Sequence, residues 1–396
     1  MSSTERARFR GRVVVALTTV AVALLSGPVG ASVDSGSSPP AVVPMHRAAP
    51  TRHFAFVVNR MSGTVTPVNL RTRKAMRAIP VGKRPGAIVV TPDGRTAFVA
   101  NGGSGTVTPI DTVTRRAMAA IRVGRGPTIN DPNQPHSMAI APNGRTIFVA
   151  NARSDTVTPI DVATRTAKPA IAVGGHPLAV VITPDGGTAF VLDWSAHSVT
   201  PIDVATDTAG APIPVGSYPF AAALTPSGST LYVANYGSNT VTPITTATDH
   251  AGPAIRVGHA PDALAVTPNG RKVFVVDADS DTVTPITVAT NRAHRRFRVG
   301  YTPADIAISR SGTTAYVVTT IGQTIRPITT KTNRVHRAIS LRGYPYATAI
   351  ALTPTGQQAL TLDTYSGRVT LVDLHSHAIL AKLPTGSSPV AVGFGR

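Results

Sequence analysis

A tripeptide, Val-Thr-Pro, recurs along this 396-residue chain at a nearly constant interval, and this repetition constrains the fold more than any other feature. The six complete copies begin at Val65, Val107, Val157, Val199, Val241 and Val283, and two degraded copies begin at Ile325 and Val369. The interval is 42 residues, except for one of 50, with an insertion from Thr128 to Pro135, and a last one of 44. A period in the low forties is typical of folds built by stacking one supersecondary unit.

Each repeat contains four short apolar segments, which we label strands A to D. In one repeat they are predicted at Ala87–Thr91 (A), Ala97–Ala100 (B), Thr106–Asp111 (C) and Ala120–Val123 (D). A Pro-Asp-Gly type of turn joins A to B and supplies the positive φ that a tight hairpin needs. Glu occurs once in the chain, whereas Val, Ile and Thr are abundant, so the composition favours strands over helices. Because the proline of strand C cannot donate to strand D, a bulge or an early strand end is predicted there.

Four-stranded units of this length are propeller blades. Strands B, C and D each occur eight times, whereas strand A occurs seven times between them. An eighth A-like segment, Pro389–Phe394, closes the chain, and the first repeat begins directly at strand B. We therefore predict an all-β fold, a β-propeller of eight four-stranded blades whose ring is closed by the C-terminal strand. Seven blades remain the alternative.

The end of strand B carries a family resemblance. The segments Phe98-Val99-Ala100-Asn101, Phe148-Val149-Ala150-Asn151 and Tyr232-Val233-Ala234-Asn235 resemble the Tyr-Val-Thr-Asn motif of the YVTN family of β-propeller repeat proteins. The resemblance extends over about residues 53–394, although blades 7 and 8 depart from the motif. It implies a propeller, commonly of seven blades, with its ligand on the face that carries the B–C and D–A loops. A related exported type is associated with binding of single-stranded DNA.

The N-terminus has the layout of a secretory signal peptide. Four arginines precede an uncharged, mostly apolar run from Val13 to Leu25, and small residues follow at Val29-Gly30-Ala31. We predict a signal peptide at 1–31, a flexible Ser/Pro-rich tether at 32–50 and a single propeller domain at 51–396. The protein is then secreted or associated with the cell envelope, and retention of the apolar run as an anchor stays open.

Several kinds of chemistry are excluded or disfavoured by the residues present. The chain has no Cys, which excludes disulfides, thiolate zinc sites and cysteine nucleophiles. The segment 277–281, Asp-Ala-Asp-Ser-Asp, resembles the start of a calcium loop but lacks the glycine and glutamate that complete one. No HExxH, GxSxG, Walker or dinucleotide motif occurs. We therefore expect no metal and no cofactor.

The two faces of the predicted ring differ in side-chain chemistry. Loops B–C and D–A contain the only Trp and most of the Tyr residues, which favours a contact surface because aromatic side chains bury large areas on binding. Packing of the same rings against the blade ends is the structural alternative. The predicted ligand-binding residues are Asp193, Trp194, His197, Tyr218, Phe220, Tyr236, Tyr301, Tyr344, Tyr346 and Tyr365.

The segments from strand C to strand D are basic in blades 1, 2, 6 and 7, which form one arc if blade 8 closes onto blade 1. The net charge of +19 suits an anionic polymer such as nucleic acid or an anionic wall glycan, and solvated surface charge is the alternative. The predicted polyanion-binding residues are Arg71, Arg73, Lys74, Arg77, Arg115, Arg116, Arg292, Arg295, Arg296, Arg298, Lys331, Arg334 and Arg337.

Three functions follow as hypotheses. The first is a non-enzymatic, monomeric binding propeller that presents its aromatic loop face to a glycan, a peptide or a protein. The second is an anionic-polymer binder that works through the basic arc. The third is a hydrolase or lyase that uses Asp193 and His197, so the question of an enzyme stays open, with binding favoured.

Overall fold

The computed structural model describes residues 53–123, 137–341 and 346–396. The predicted signal peptide, the tether and Tyr344 lie outside these residues. Over the described ranges the chain forms eight separate antiparallel sheets and one short 3-10 helix, Val288–Thr290. This arrangement confirms the eight-bladed, all-β propeller. Among the same residues, none of the helical structure is long and apolar enough to cross a membrane.

Strands A and B form the inner half of each blade, and A lies nearest the centre of the ring. In the order of blades 1 to 8, strand A is Pro389–Gly395, Pro85–Val90, Ser137–Ile140, Pro177–Ile182, Pro219–Leu224, Pro261–Val266, Pro303–Ile308 and Ala347–Leu352. Strand B is Phe54–Asn59, Thr96–Asn101, Thr146–Asn151, Thr188–Asp193, Thr230–Asn235, Lys272–Asp277, Thr314–Thr319 and Gln358–Asp363.

Strands C and D form the outer half. Strand C is Thr64–Asn69, Thr106–Asp111, Thr156–Asp161, Ser198–Asp203, Thr240–Thr245, Thr282–Thr287, Thr324–Thr329 and Arg368–Asp373. Strand D of blades 1 to 7 consists of two short pieces: Lys74–Ala75 and Ile79–Pro80, Arg116–Ala117 and Ile121–Arg122, Thr166–Ala167 and Ile171–Ala172, Thr208–Ala209 and Ile213–Pro214, His250–Ala251 and Ile255–Arg256, Arg292–Ala293 and Phe297–Arg298, Arg334–Val335 and Ile339–Ser340. In blade 8 it is one strand, Ile379–Pro384.

The break in strand D lies opposite the proline of strand C, as predicted from the sequence. In blade 2, Pro109 accepts a hydrogen bond from the Met118 N–H at 2.8 Å but has no N–H to return, and the two pieces of strand D pair on either side of it. Blade 8 carries Leu371 at this position, and there Leu371 pairs with Ala381 inside a continuous strand.

The C-terminal strand closes the ring. Strand Pro389–Gly395 pairs antiparallel with strand Phe54–Asn59, from Phe54 opposite Gly395 to Asn59 opposite Pro389. Blade 1 therefore combines both ends of the propeller domain, as predicted. Closure leaves strand B of blade 1 without an open edge, which removes a site for edge-to-edge aggregation.

The core lies between neighbouring blades. An aromatic residue at the third position of strand B is fully buried in blades 1 to 6, and these are the largest fully buried side chains: Phe56, Phe98, Phe148, Phe190, Tyr232 and Phe274. Each packs with apolar residues of its own and the adjacent blade, for example Phe148 with Val180 and Val191. Since strand residues alone supply this packing, the loops at the blade ends can differ from one blade to the next.

Candidate functional site

The loops B–C and D–A share one side of the ring, which we call the loop face. The backbone N–H of Trp194, in a B–C loop, donates to the backbone carbonyl of His176, in a D–A loop, at 3.1 Å. One blade further, the Tyr236 N–H donates to the Tyr218 carbonyl at 3.0 Å. This repeated contact joins the two kinds of loop and confirms the predicted division into two faces.

Asp193 lies inside blade 4 and not on the rim of the loop face, where direct contact with a ligand was predicted. The residue has no exposed surface, and its Oδ2 accepts hydrogen bonds from Thr200 at 2.6 Å and Ser198 at 3.2 Å. Burial raises the pKa of Asp193 to about 6, and these hydrogen bonds oppose the rise. In blade 5, Asn235 makes the equivalent contacts to two threonines through its amide. In blades 4 and 5 this position therefore ties strand B to strand C.

The glycine that follows strand D lies against this buried polar residue. A Cβ at Gly174 would lie 2.6 Å from Cγ of Asp193, and one at Gly82 would lie 2.6 Å from Cγ of Asn101. Any side chain here would displace the buried polar group. The spacing of this glycine in the sequence thus reports a close approach of backbone to side chain.

A second recurring hydrogen bond was not predicted from the sequence. The last residue of the B–C loop adopts a left-handed conformation, and its side chain accepts a hydrogen bond from the backbone N–H of the residue before the proline that starts the next strand A. The pairs in blades 3 to 6 are Asp155 with His176 (2.7 Å), His197 with Tyr218 (3.0 Å), Asn239 with Ala260 (2.9 Å) and Asp281 with Thr302 (2.8 Å). The constant separation of 21 residues was the available signal.

In blade 4 this recurring hydrogen bond assigns the tautomer of His197. Its Nδ1 accepts from the Tyr218 N–H, so the ring proton resides on Nε2. The same contact holds the backbone of Tyr218 in place, with φ at 56°. His197 therefore orients an aromatic neighbour in addition to presenting its own ring.

Six side chains of blades 3 to 5 form what we call the aromatic wall: His176, Trp194, His197, Tyr218, Phe220 and Tyr236. Trp194 and Tyr218 stack with ring centroids 4.7 Å apart and an interplanar angle of 29°. The His197 ring meets Tyr218 edge-on at 4.8 Å, and His176 lies 5.6 Å from Trp194. Phe220, 5% exposed, supports the wall from below and contacts Tyr236 at 5.5 Å, whereas the other five are half-buried.

The remaining predicted aromatics lie elsewhere on the loop face. Tyr346 and Tyr365 form a separate pair in blade 8 with centroids 4.1 Å apart, and Tyr365 is 63% exposed. Tyr301, 65% exposed, lies in the loop between blades 6 and 7. The structure therefore brings together the residues around Trp194, and it does not join them to these three.

The basic residues form a band and not a patch on one face. Residues of the C–D turns, such as Arg73 and Arg116, lie opposite the loop face, but Arg298 pairs with Thr282 at the loop-face end of strand C. The band thus continues up the outer edge of the ring. Twelve of the thirteen predicted residues are exposed, and the thirteenth, Arg115, lies over the Phe54 ring at 5.2 Å. Within the described residues none of the thirteen forms an ion pair.

The carboxylates of segment 277–281 have structural partners. Asp277 is fully buried and accepts from Thr282 and Thr284, while Asp281 accepts from the Thr302 N–H. Burial raises the pKa of Asp277 to about 6. In the portion of the chain that the structure describes, no group of three or more His, Asp or Glu side chains is arranged to hold a metal ion.

Comparisons with known proteins agree with the fold. A family model described as YNCE-like β-propeller matches residues 12–132, and a search of curated proteins found no match. Dihydro-heme d1 dehydrogenase NirN in complex with DHE is similar in structure, with a TM-score of 0.74 and 16% sequence identity over 89% of this chain and 77% of that chain. Hydrazine synthase of Kuenenia stuttgartiensis has a TM-score of 0.58 and 21% identity over 74% of this chain and 96% of that chain. A functionally unknown protein of Desulfotomaculum acetoxidans has a TM-score of 0.59 and 15% identity over 87% of this chain and 99% of that chain. At these identities the likeness concerns the fold alone. The 42-residue repeat, the eight closed blades and the match of the family model to residues 12–132 fit a YVTN-type β-propeller repeat protein.

Proposed function

We propose that this protein is an exported, non-enzymatic binding propeller that holds a glycan, a peptide or a protein partner against the aromatic wall. The stack of Trp194 on Tyr218 carries this proposal. Both rings lie on the loop face, both are half-buried, and each therefore retains surface for a ligand. Large aromatic side chains give a ligand extensive contact at a low cost in conformational entropy.

The wall is already ordered without a ligand. His197 fixes the Tyr218 backbone, and Trp194 packs partly against the core cluster that contains Phe220 and Leu178. Preorganisation reduces the entropic cost of binding, since few side chains have to be immobilised. The imidazoles of His176 and His197 add polar groups at the rim, where a hydroxyl-rich or peptide ligand needs hydrogen bonds.

Trp194 is the only tryptophan, so its fluorescence reports directly on the wall. Glycan and peptide libraries are screened against the mature protein, and each hit is titrated while this emission is recorded. We expect Trp194→Ala and Tyr218→Ala to weaken binding by about 30-fold or more, because buried aromatic hot spots contribute about 2 kcal/mol or more each. Tyr301→Ala, at an exposed site away from the wall, is the matched control.

Thermal unfolding of the same variants separates contact from packing. If Trp194→Ala lowers stability by about 3–5 kcal/mol, as loss of a buried wedge would, and its affinity for every hit equals that of the wild type, the wall is structural and the proposal fails. Retention of full affinity by both wall variants also contradicts it.

The exposed basic band supports a second candidate, binding of an anionic polymer. Its cations have no ion-pair partners among the described residues, so they are free to contact phosphates or acidic sugars. Changing Arg292, Arg295, Arg296 and Arg298 together to Ser should weaken binding of single-stranded DNA and flatten its log–log salt dependence by about 0.7 for each lost contact. Arg256→Ser, in blade 5, serves as the control outside the band. An unchanged slope in the fourfold variant would rule out this role for blade 6.

A further inference from the structure

A cleft opens on the loop face between blades 1 and 2, apart from the aromatic wall of blades 3 to 5. Its volume is about 560 Å³, and its lining includes Met61, Gly63, Lys83, Arg84 and Ser104. The lining is polar and cationic, whereas the wall is aromatic.

The repeats show what is special about this cleft. Gly63, with φ at 64°, stands where Asp155, Asn239 and Asp281 stand in their own blades. Those side chains accept a hydrogen bond from the N–H that precedes strand A, but a glycine has no side chain to do so. In blade 2 the corresponding N–H belongs to Arg84, and among the described residues it has no acceptor. A backbone donor therefore points to the place where blades 3, 5 and 6 hold a carboxylate or an amide oxygen.

Positive charge surrounds this donor. Lys83 and Arg84 are exposed, and Arg60, which precedes the cleft residue Met61, is half-buried. No ion pair involves any of these three side chains within the described ranges. Burial, and then the charge of nearby Arg84, lowers the pKa of Arg60 from its ordinary value. Like charges held close together without an acidic partner favour an anion between them.

Two hydroxyl groups complete the lining. Ser104 Oγ accepts from the Lys83 N–H at 2.7 Å, and Ser62 Oγ accepts from the Ser387 N–H at 2.7 Å. Each hydroxyl hydrogen is left to donate to a ligand. The junction of blades 8 and 1 also has a glycine at the left-handed position, Gly367, but its D–A loop carries serines in place of the two cations. The full set of donors occurs together at the blade 1–2 junction.

We propose that this cleft binds the oxyanion group of a small ligand, a carboxylate or a phosphate, in the position that an aspartate side chain occupies in blades 3 and 6. The Arg84 N–H and the side chains of Lys83 and Arg84 donate to the anion. The hydroxyls of Ser62 and Ser104 donate to its remaining oxygens or to neighbouring ligand groups. Met61, 67% exposed at the rim, contacts the uncharged part of the ligand.

The test uses isothermal titration calorimetry with inorganic phosphate, glucuronate and neutral glucose. Gly63→Asn places in the cleft the residue that blade 5 already carries in this conformation, and Lys83→Ser/Arg84→Ser removes the two cationic side chains without filling it. Each change should weaken anion binding about tenfold or more, because each removes at least one charge-assisted hydrogen bond. Arg256→Ser, in blade 5 and outside both the cleft and the basic band, is the control for general charge and should bind as the wild type does.

The outcomes separate the two sources of the anion. Binding of glucuronate alone assigns the site to carboxylates, and binding of phosphate alone assigns it to phosphates. A Cβ at Gly63 would lie 3.3 Å from the Gly82 carbonyl oxygen, so the asparagine variant requires a small local shift, and the double serine variant tests the same idea without one. Absence of binding of both anions at millimolar concentration, equal binding of glucose, or undiminished binding in both variants would overturn the proposal.

Discussion

Removal of residues 387–396 tests the closure of the ring directly. The deletion takes away strand Pro389–Gly395 and every main-chain pair that it makes with strand B of blade 1. It also removes the link to blade 2, where the Arg396 N–H donates to the Gly94 carbonyl at 3.0 Å. Blade 1 is then left with three strands and an unpaired edge.

The magnitude follows from the side chains that the strand buries. Val390 and Val392 are 0% and 8% exposed and lie in two different core clusters, and Phe394 packs half-buried beside the second. At about 1.5–3 kcal/mol for each fully buried apolar side chain, their loss amounts to about 5 kcal/mol before any hydrogen bond is counted. Whole domains are stable by only about 5–15 kcal/mol, so most of the stability should disappear.

Size-exclusion chromatography and thermal unfolding measure this effect. We expect the truncated protein to melt at a much lower temperature and to associate through its open edge, because an unpaired strand is a template for pairing. Removal of Arg396 alone is the matched control and should cost about 1 kcal/mol, the value of one hydrogen bond. A truncated protein that remains monomeric with an unchanged melting temperature would show that this strand does not close the ring.

Three further substitutions test the reasoning about single positions. Leu371→Pro should split strand D of blade 8 and lower the free energy of unfolding by about 1–3 kcal/mol in urea, since a ladder donor is lost, and an unchanged midpoint would refute the role given to proline. Asp193→Asn should raise stability at pH 8 by about 1–3 kcal/mol, because burial raises the pKa of Asp193 to about 6 and asparagine fills this position in other blades; equal or lower stability would contradict this. Burial also raises the pKa of Asp305 to about 7, so the folded protein retains a proton that the unfolded chain releases above its ordinary value of 3.8, and stability should fall as pH rises from about 4 to 7. Asp305→Ala, which matches the alanine of most other blades, should flatten that slope, and an unaltered pH profile would exclude Asp305 as its source.

The repeat pattern was sufficient to predict the blades because strand formation depends on local properties. Alternation of apolar residues, turn glycines and the missing proline donor are all readable within one 42-residue unit. The exception at Leu371 illustrates this, since one side chain decides whether strand D is broken. The C-terminal strand was predictable for a related reason: a unit that lacks strand A at one end of the chain can complete its blade only from the other end.

The candidate sites depended on contacts that no single repeat contains. The pairing of His197 with Tyr218 joins residues of two successive blades. Asp193 turns inward because the hydroxyls of Ser198 and Thr200 in strand C and a close glycine surround it. From the sequence alone, Gly63 is indistinguishable from an ordinary turn glycine. Only the packing of one blade on the next shows that it leaves the Arg84 N–H, among the described residues, without the acceptor found in blades 3 to 6. The sequence by itself determined which segments become strands and how many blades they form, because those choices are made by neighbours along the chain. The tertiary structure decided which loop side chains meet. These contacts form between neighbouring blades, and the packing of the blades brings residues 21 positions apart together on the loop face.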